Sequence, residues 1–381
     1  MRLFTSIFLL FILSSCKKEN DVSIILPLDE TTEQLPINKI QIIGSHNSYR
    51  RLTDHDILGF LKTLGGFLPD EYSPKSWEYD HKPLPYQLDL GLRSFELDIY
   101  YDPLGGRYYN RLGNILVNKS IASGVESLLY PGMKIMHIPD IDYNTNYYTF
   151  KDAISSLKEW SQNHPAHLPI FVLVELKTTG VGDFIPIFTE ILPFTKEALD
   201  SVDMEIEDVF GGSNIVYTPD DMRGTYPDLK TRIHEVGWES VKALRGKIIF
   251  ITYRNDNYLA GAPLLEGRKM FQFSNISSPN AAFVIIDNPS DVEDIQTAIA
   301  EGCIVRTRSD ANTTEARTGD YTMRDAAFAS GAQLISTDYY EPSYNEGKKG
   351  WTDYRVSFEN NHYARTNIVN ATTAKGKLIR E

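Results

Sequence analysis

Six side chains with catalytic or metal-binding chemistry lie within or directly after short apolar runs of the sequence. They are His46, Asn47, Glu96, Asp98, His137 and Glu175. Imidazole titrates near neutral pH, so two histidines can serve as general acid and general base in one reaction cycle. We therefore predict that His46 and His137 are catalytic residues, provided that the fold brings them together.

The acidic members of this set indicate a metal site. Glu96 and Asp98 are two residues apart in an extended run, which places both carboxylates on one face of a strand. Burying two neighbouring carboxylates is costly unless a cation or protons offset their charge. With Glu175 and the amide oxygen of Asn47 they form an all-oxygen set, which suits Ca²⁺, or less well Mg²⁺, better than Zn²⁺. The predicted ligands of Ca²⁺ are therefore Asn47, Glu96, Asp98 and Glu175.

Three basic side chains could bind an anionic substrate. Lys177 lies two residues beyond Glu175 on the same face, where it could neutralise a phosphate or tune the carboxylate. Arg306 and Arg308 lie at the end of a later apolar run and are placed to bind an anion. We assign Lys177 and Arg306 as candidate substrate-binding residues, while the roles of Arg308 and Asp310 stay open.

These residues need a scaffold that gathers the ends of distant strands. Eight β-branched or apolar runs are candidate strands: 39–43, 94–99, 134–136, 170–174, 247–252, 283–286, 303–305 and 334–336. Helical periodicity lies between several of them, as in 149–162 and 291–301. Alternating strands and helices predict an α/β fold, and eight strands favour a single-domain, distorted (β/α)8 TIM barrel with long inserted loops. In such a barrel the carboxyl ends of the strands open on one face, so the six side chains would converge.

The amino terminus resembles a targeting segment. Arg2 precedes the apolar run 3–13, which is far shorter than the roughly 20 residues that span a bilayer. The sequence Leu-Ser-Ser-Cys, ending at Cys16, resembles a bacterial lipoprotein processing box, and the alternative is an ordinary secretory signal. We predict a signal peptide over 1–15, a lipidated tether over 16–34 and a catalytic domain over 35–381. The protein would then be lipid-anchored in the bacterial cell envelope, on the periplasmic or outer face of the outer membrane.

Composition excludes several classes of function. The formal net charge of −13 opposes attraction to nucleic acid. Two cysteines among 381 residues exclude a disulfide framework and a multi-cysteine zinc site. Nothing in the sequence indicates an obligate protein partner.

The motifs together resemble one known superfamily. His-Asn, Glu-x-Asp, His and Glu on successive strands are similar to the catalytic set of the calcium-dependent phosphoinositide-specific phospholipases C, and the segment 44–49, Gly-Ser-His-Asn-Ser-Tyr, is similar to the opening motif of their bacterial and fungal branch. The resemblance continues through 217–224, 306–311 and 336–339. It implies cleavage of phosphatidylinositol into diacylglycerol and a cyclic or linear inositol phosphate. It also implies that His46 and His137 shuttle protons while Ca²⁺ lowers the pKa of the inositol 2-hydroxyl.

Two features separate this chain from other members of the superfamily. The interval between Asp98 and His137 is longer than in compact members, which predicts an inserted loop over 101–129 that shapes the mouth of the barrel. The chain also lacks room for the pleckstrin, EF-hand and C2 modules of the eukaryotic signalling enzymes.

Two other functions stay open from the residues alone. A glycerophosphodiester phosphodiesterase shares the barrel, the histidines and the Glu-x-Asp pair, although it typically has Arg-Gly after the first histidine. A surface lipoprotein could instead use the barrel to bind glycan or lipid without catalysis. The sequence does not fix the head group of the lipid, nor whether Tyr100, Tyr101, Tyr339 and Trp351 face lipid or pack the barrel.

Overall fold

The structure is a computed structural model that describes residues 30–64, 73–372, 374–379 and 381. Its strands are β1 (Ile40–Ser45), β2 (Ser94–Tyr100), β3 (Lys134–Ile135), β4 (Ile170–Leu176), β5 (Ile248–Thr252), β6 (Met270–Gln272), β7 (Phe283–Ile285), β8 (Ile304–Arg308), β9 (Leu334–Thr337) and β10 (Ala364–Thr366). Its α-helices are α1 (Glu30–Glu33), α2 (His55–Leu64), α3 (Leu84–Leu90), α4 (Phe150–Asn163), α5 (Lys196–Phe210), α6 (Pro219–Arg223), α7 (Leu229–Glu235), α8 (Val241–Leu244), α9 (Asp256–Leu259), α10 (Val292–Ala300), α11 (Thr314–Thr318) and α12 (Thr322–Ser330).

The strands form two five-stranded sheets, with the orders β10-β1-β9-β8-β7 and β3-β2-β4-β5-β6. Within the sheets all pairs are parallel except β1 with β10 and β2 with β3. A parallel bridge between Phe273 and Phe283 joins the sheets at one side. At the other side β1 meets β2, where a Cβ added to Gly44 would lie 2.0 Å from the carbonyl oxygen of Ser94. The result is a TIM-barrel-like α/β fold, as the sequence predicted.

Two strands differ from the sequence prediction. The third predicted strand, 134–136, is a two-residue segment that runs antiparallel to β2 and is not part of the parallel set. The strand that joins the parallel set, β6, was not predicted, since it contains three residues between polar segments. A single parallel bridge also joins Val216 to Ile248 at the start of β5.

Burial of the strands from both faces holds the barrel together. Every residue of β1, β2 and β5 is buried, as expected for parallel strands covered by helices. The helices contribute one apolar face each; in α4 this face includes Phe150, Ile154 and Leu157, and the Thr149 side chain caps the first turn. Each fully buried side chain of this type contributes roughly 1.5–3 kcal/mol.

A second hydrophobic cluster covers the carboxyl ends of the strands. Two loop segments that we call the cap, residues 101–133 after β2 and residues 177–195 after β4, contribute to this cluster together with α2, Trp77, Tyr100 and the segment 136–143. Its buried side chains include Tyr108, Leu128, Val181, Phe188 and Ile191. The predicted inserted loop 101–129 therefore belongs to a packed substructure at the mouth of the barrel.

The predicted signal peptide and most of the predicted tether lie outside the described residues. The described part of the tether contains α1, and Glu33 of this helix forms an ion pair with Arg245 at 2.8 Å. Among the described residues, no helix combines the length and the hydropathy needed to cross a membrane.

Candidate active site

The predicted catalytic and metal-binding residues lie around the carboxyl ends of β1, β2 and β4. His46 and Asn47 directly follow β1, and Asp98 of β2 is paired in register with Glu175 of β4. His137 reaches the same region differently from the prediction. It follows the antiparallel strand β3, and the Tyr100 hydroxyl at the end of β2 donates to the His137 carbonyl oxygen at 2.7 Å.

Three carboxylates converge at this position. One oxygen from each of Glu96, Asp98 and Glu175 lies within 4.8 Å of the others. Asp98 is fully buried and neither of its oxygens accepts a hydrogen bond. The Asn47 amide donates to the Tyr79 hydroxyl at 2.9 Å, and its buried oxygen has no hydrogen-bond partner. Unsatisfied buried oxygens of this kind are costly unless a ligand completes them, so this donor set fits a hard cation.

Lys177 partly neutralises the cluster. Its ammonium lies 3.0 Å from Glu175 Oε1 and 3.4 Å from Asp98 Oδ2. Burial and the neighbouring carboxylates Glu175 and Glu96 nevertheless raise the pKa of Asp98 well above its ordinary value. Burial also acts against ionisation of Glu175, but Lys177 outweighs it and lowers the pKa of that carboxyl. The site thus favours an additional positive charge beside Asp98.

Arg306 lies beneath the carboxylates. Its guanidinium donates to Glu96 Oε2 at 2.7 Å and to Ser336 Oγ at 3.1 Å, and it also pairs with Asp287. The residue is 2% exposed. Contact between Arg306 and substrate therefore stays a prediction. The contact present in the structure is with Glu96, which Arg306 orients.

A buried aspartate orients His46. Asp338, which directly follows β9, lies 2.8 Å from His46 Nδ1 and accepts a longer hydrogen bond from Arg308 at 3.3 Å. Burial of Asp338 opposes its ionisation, but His46 and Arg308 outweigh this effect and hold its pKa at about 2. Because an ionised carboxylate can only accept, the Nδ1 atom of His46 carries the proton. Its Nε2 atom then carries the lone pair, and it lies 3.4 Å from Arg308 Nη1 and 3.9 Å from Glu96 Oε1.

His137 has an equivalent partner. Its Nδ1 atom lies 2.7 Å from Asp142 Oδ2. The same carboxylate accepts two bonds from the fully buried guanidinium of Arg50, at 3.0 and 2.8 Å, and one from the Thr53 hydroxyl at 2.6 Å. Arg50 and His137 outweigh the effect of burial and lower the pKa of Asp142. Burial lowers the pKa of His137, although Asp142 acts in the opposite direction.

Sequence reasoning did not assign the two aspartates or Arg50. Asp142 lies five residues after His137, and Asp338 lies at the end of a predicted strand. The position of each aspartate in the sequence could therefore have indicated a role at the site. His81 also supports the site: its Nε2 atom lies 2.8 Å from the His46 carbonyl oxygen, which fixes the backbone there.

Most of the aromatic residues whose role was open pack inside the molecule. Tyr100 and Tyr339 are buried, and Tyr101 packs partly buried against the main core. Trp351 is half-buried beneath the guanidinium of Arg317. Packing therefore accounts for these side chains.

The TIM-barrel-like fold thus places a cluster of hard-oxygen donors beside two aspartate-supported histidines. The family model for calcium-dependent phosphoinositide phospholipase C matches residues 35–368. The chain belongs to this family of phosphodiesterases. This result confirms the resemblance, the calcium dependence and the phospholipase prediction, and it disfavours the glycerophosphodiester phosphodiesterase alternative.

Solved structures agree on the fold. A calcium-dependent phosphoinositol-specific phospholipase C from a Gram-negative Pseudomonas species is 14% identical, with a TM-score of 0.52 over 89% of this chain and 98% of that one. A Ca²⁺-dependent phosphatidylinositol-specific phospholipase C from Streptomyces antibioticus is 15% identical, with a TM-score of 0.51 over 80% of this chain and 95% of that one. No curated protein sequence matches this chain.

Proposed function

We propose that the protein cleaves phosphatidylinositol-type lipids into diacylglycerol and an inositol phosphate, with His46 and His137 as the acid–base pair. The observation that carries this proposal is the placement of two aspartate-supported histidines around buried oxygens that lack hydrogen-bond partners. A protein that only bound glycan or lipid would have no need for two oriented, titrating groups beside a metal site.

In the proposed reaction the inositol 2-hydroxyl oxygen attacks phosphorus and the bond to the diacylglycerol oxygen breaks. One histidine accepts the hydroxyl proton at its Nε2 atom, and the other donates a proton to the departing diacylglycerol oxygen. Asp338 and Asp142 keep the two imidazoles in the required tautomer and orientation. A cyclic phosphodiester results, and its hydrolysis gives the linear product.

Asn47, Glu96, Asp98 and Glu175 are the residues that would hold Ca²⁺. Calcium bound there supplies positive charge that lowers the pKa of the inositol hydroxyl and offsets charge on the phosphoryl oxygens. Arg306 orients Glu96 for this role. Lys177, whose side chain is about one-fifth exposed, is available to contact the substrate phosphate.

Arg308 is a further candidate for contact with substrate. Its guanidinium lies 3.4 Å from His46 Nε2, and its side chain is 18% exposed, in contrast to the buried Arg306. A phosphate that approaches His46 would therefore meet this cation, and fork-shaped guanidinium groups suit phosphate oxygens.

The proposed reaction is tested by incubating phosphatidylinositol micelles with the protein and Ca²⁺ and identifying the products. Calcium-dependent release of cyclic or linear inositol phosphate supports the proposal. Release of glycerol 3-phosphate would indicate the glycerophosphodiester reaction, and no turnover of any phosphodiester would indicate a binding protein. His46→Ala and His137→Ala should each lower turnover by a factor of about 10² to 10⁴.

We also propose that Cys16 carries lipid and anchors the protein in the bacterial envelope. The support is the sequence of the segment 1–16, since these residues lie outside the described part of the chain. The test is incorporation of labelled fatty acid into the full chain and into a Cys16→Ala variant. Label in the wild type alone supports the anchor, while equal labelling of both chains contradicts it.

A further inference from the structure

Asp310 is a buried carboxylate whose role the sequence left open. It lies two residues beyond Arg308, the last residue of β8, and it is fully buried. Its Oδ1 atom accepts a hydrogen bond from the Asp338 backbone N–H at 2.8 Å, and its Oδ2 atom accepts from the Thr337 hydroxyl. Thr337 is the last residue of β9, and Asp338 follows it. The Asp310 side chain thus ties the carboxyl ends of β8 and β9 together.

Both partners of this side chain contact His46. The Thr337 carbonyl oxygen accepts from the His46 backbone N–H at 2.9 Å, and the Asp338 carboxylate lies 2.8 Å from His46 Nδ1. Arg308, which also lies beside the imidazole, donates from its Nε atom to the Asp310 carbonyl oxygen at 3.0 Å. Asp310 is therefore one contact away from His46 by three routes, two through its side chain and one through its main chain.

The hydrogen bond to Asp338 supplies a contact that the sheet does not provide. Because β9 ends at Thr337, the N–H group of Asp338 takes the Asp310 side chain, rather than a neighbouring strand, as its acceptor. A buried N–H group that loses its acceptor is costly, so its backbone shifts towards another partner. Such a shift of Asp338 would change the contact between its carboxylate and His46.

The two neighbouring aspartates share the site unequally. Burial, and then the charge of Asp338, raise the pKa of Asp310. Burial of Asp338 is outweighed by His46 and Arg308, which hold its pKa at about 2. Asp338 is therefore the carboxylate that stays ionised beside His46. What Asp310 provides to the Asp338 N–H is an acceptor oxygen, which a carboxylate, a carboxylic acid and an amide all possess.

We propose that Asp310 is a positioning residue for the reaction, which holds Asp338 in place so that this carboxylate fixes the tautomer and orientation of His46. The inference rests on the proposed function, in which His46 transfers a proton. Loss of the Asp310 side chain should slow the chemical step, since a misplacement of about 1 Å can cost about 10²-fold in rate. Calcium binding should stay unchanged, because the three carboxylates of the metal cluster belong to β2 and β4.

The proposal is tested with Asp310→Ala, which removes the acceptor, and Asp310→Asn, which keeps an oxygen that can accept from Asp338. Asn367→Ala is the matched control. Asn367 is also fully buried; its amide donates to the Gly331 carbonyl oxygen at 2.7 Å, and its oxygen accepts from the Val369 N–H at 2.8 Å. Gly331 lies shortly before β9, so the control removes similar hydrogen bonds at the other end of that strand.

Four quantities are measured for each full chain: kcat and KM on phosphatidylinositol micelles, Ca²⁺ affinity, the free energy of unfolding in urea, and the ¹⁵N NMR shifts of the His46 ring in the calcium-free protein. Asp310→Ala should lower kcat by about 10- to 100-fold, with KM and Ca²⁺ affinity close to those of the wild type. Asp310→Asn should keep most of the wild-type kcat. Asn367→Ala should lose stability but keep kcat.

Two readouts separate positioning from a general loss of structure. In an Asp338→Asn chain, the addition of Asp310→Ala should cause no further loss of kcat, because both changes act on the same contact with His46. When Nδ1 carries the proton, the two ring nitrogens of His46 have well-separated ¹⁵N shifts. These shifts should move towards each other in Asp310→Ala and stay at wild-type values in Asn367→Ala.

Wild-type kcat in Asp310→Ala would overturn the proposal, as would unchanged His46 shifts, the same loss of kcat in Asn367→Ala, or fully additive losses with Asp338→Asn. If Asp310→Ala does not fold, Thr337→Val removes the hydroxyl that donates to Asp310 and keeps the shape of the side chain. It should lower kcat and move the His46 shifts, and wild-type values of both would overturn the proposal. His46 shifts that depend on Asp310, in a chain that turns over no phosphodiester, would support the positioning and contradict the proposed function.

Discussion

The two aspartates that support the catalytic histidines allow a paired prediction about activity. Asp338 and Asp142 each accept a hydrogen bond from a histidine Nδ1 atom, at 2.8 and 2.7 Å. An asparagine in either place keeps the shape of the side chain but lets its amide donate to Nδ1, which selects the wrong tautomer. We therefore expect Asp338→Asn and Asp142→Asn each to lower turnover by about 10²- to 10⁴-fold.

The same two substitutions should differ in their effect on stability. Arg50 is fully buried, and Asp142 is its only carboxylate partner among the described residues. Removing one member of such a buried pair costs about 3–5 kcal/mol, because the remaining charge stays in the interior. Asp338 pairs with Arg308, whose side chain is 18% exposed and lies 3.3 Å away, so the cation left behind by its loss stays in contact with solvent and the cost is smaller than for Asp142.

Urea unfolding measured beside turnover separates the two effects. The prediction is a strongly lowered free energy of unfolding for Asp142→Asn, a smaller decrease for Asp338→Asn, and a large loss of turnover for both. Equal stability of the two variants would refute the role of Arg50. Turnover within about threefold of wild type in Asp338→Asn would refute orientation of His46 by that carboxylate.

Three further perturbations test separate parts of the structure. Glu96→Gln should weaken Ca²⁺ binding, and calorimetry that gives an unchanged affinity would remove Glu96 from the metal site. Burial lowers the pKa of His167 to about 4, below its ordinary value of 6.5, so protonation favours the unfolded chain. The free energy of unfolding should therefore be highest above pH 6.5 and fall by up to about 3 kcal/mol towards pH 4. A His167→Gln chain should show a smaller fall when urea unfolding is measured over this pH range. The same fall as in the wild type would contradict this assignment. Gly44→Ala should destabilise the junction of β1 and β2, because the new Cβ would meet the Ser94 carbonyl oxygen, and a wild-type melting temperature would contradict the close approach.

The fold class was predictable because its signals are local. Fully apolar runs such as those of β4 and β5 can be read as buried parallel strands from their residue types alone. The errors concern short segments. Lys134–Ile135 resembles a strand of the parallel set, but its direction depends on the cap loop that precedes it. Met270–Gln272 is three residues long and is a strand because it pairs with β5, which no local pattern encodes.

The candidate site was predictable to the extent that its chemistry lies at strand ends. The supporting residues were not predictable, since they depend on contacts across the whole chain. His46 and Asp338 are separated by 292 positions, and Arg306 and Glu96 by 210. In the sequence, a basic residue at the end of a strand looks the same whether its side chain contacts substrate or a carboxylate. The packing around Arg306 directs its guanidinium to the carboxylate.

The central claim, that calcium binds among these carboxylates, is tested most directly by Ca²⁺ titration of an Asp98→Asn chain. Asp98 is fully buried, and both of its oxygens lack hydrogen-bond partners. We expect the substitution to weaken Ca²⁺ binding at least about tenfold and to lower turnover. We also expect a more stable calcium-free chain, because the substitution removes a buried carboxylate and its repulsion with Glu175 and Glu96. Unchanged calcium affinity together with unchanged calcium dependence of turnover would contradict it.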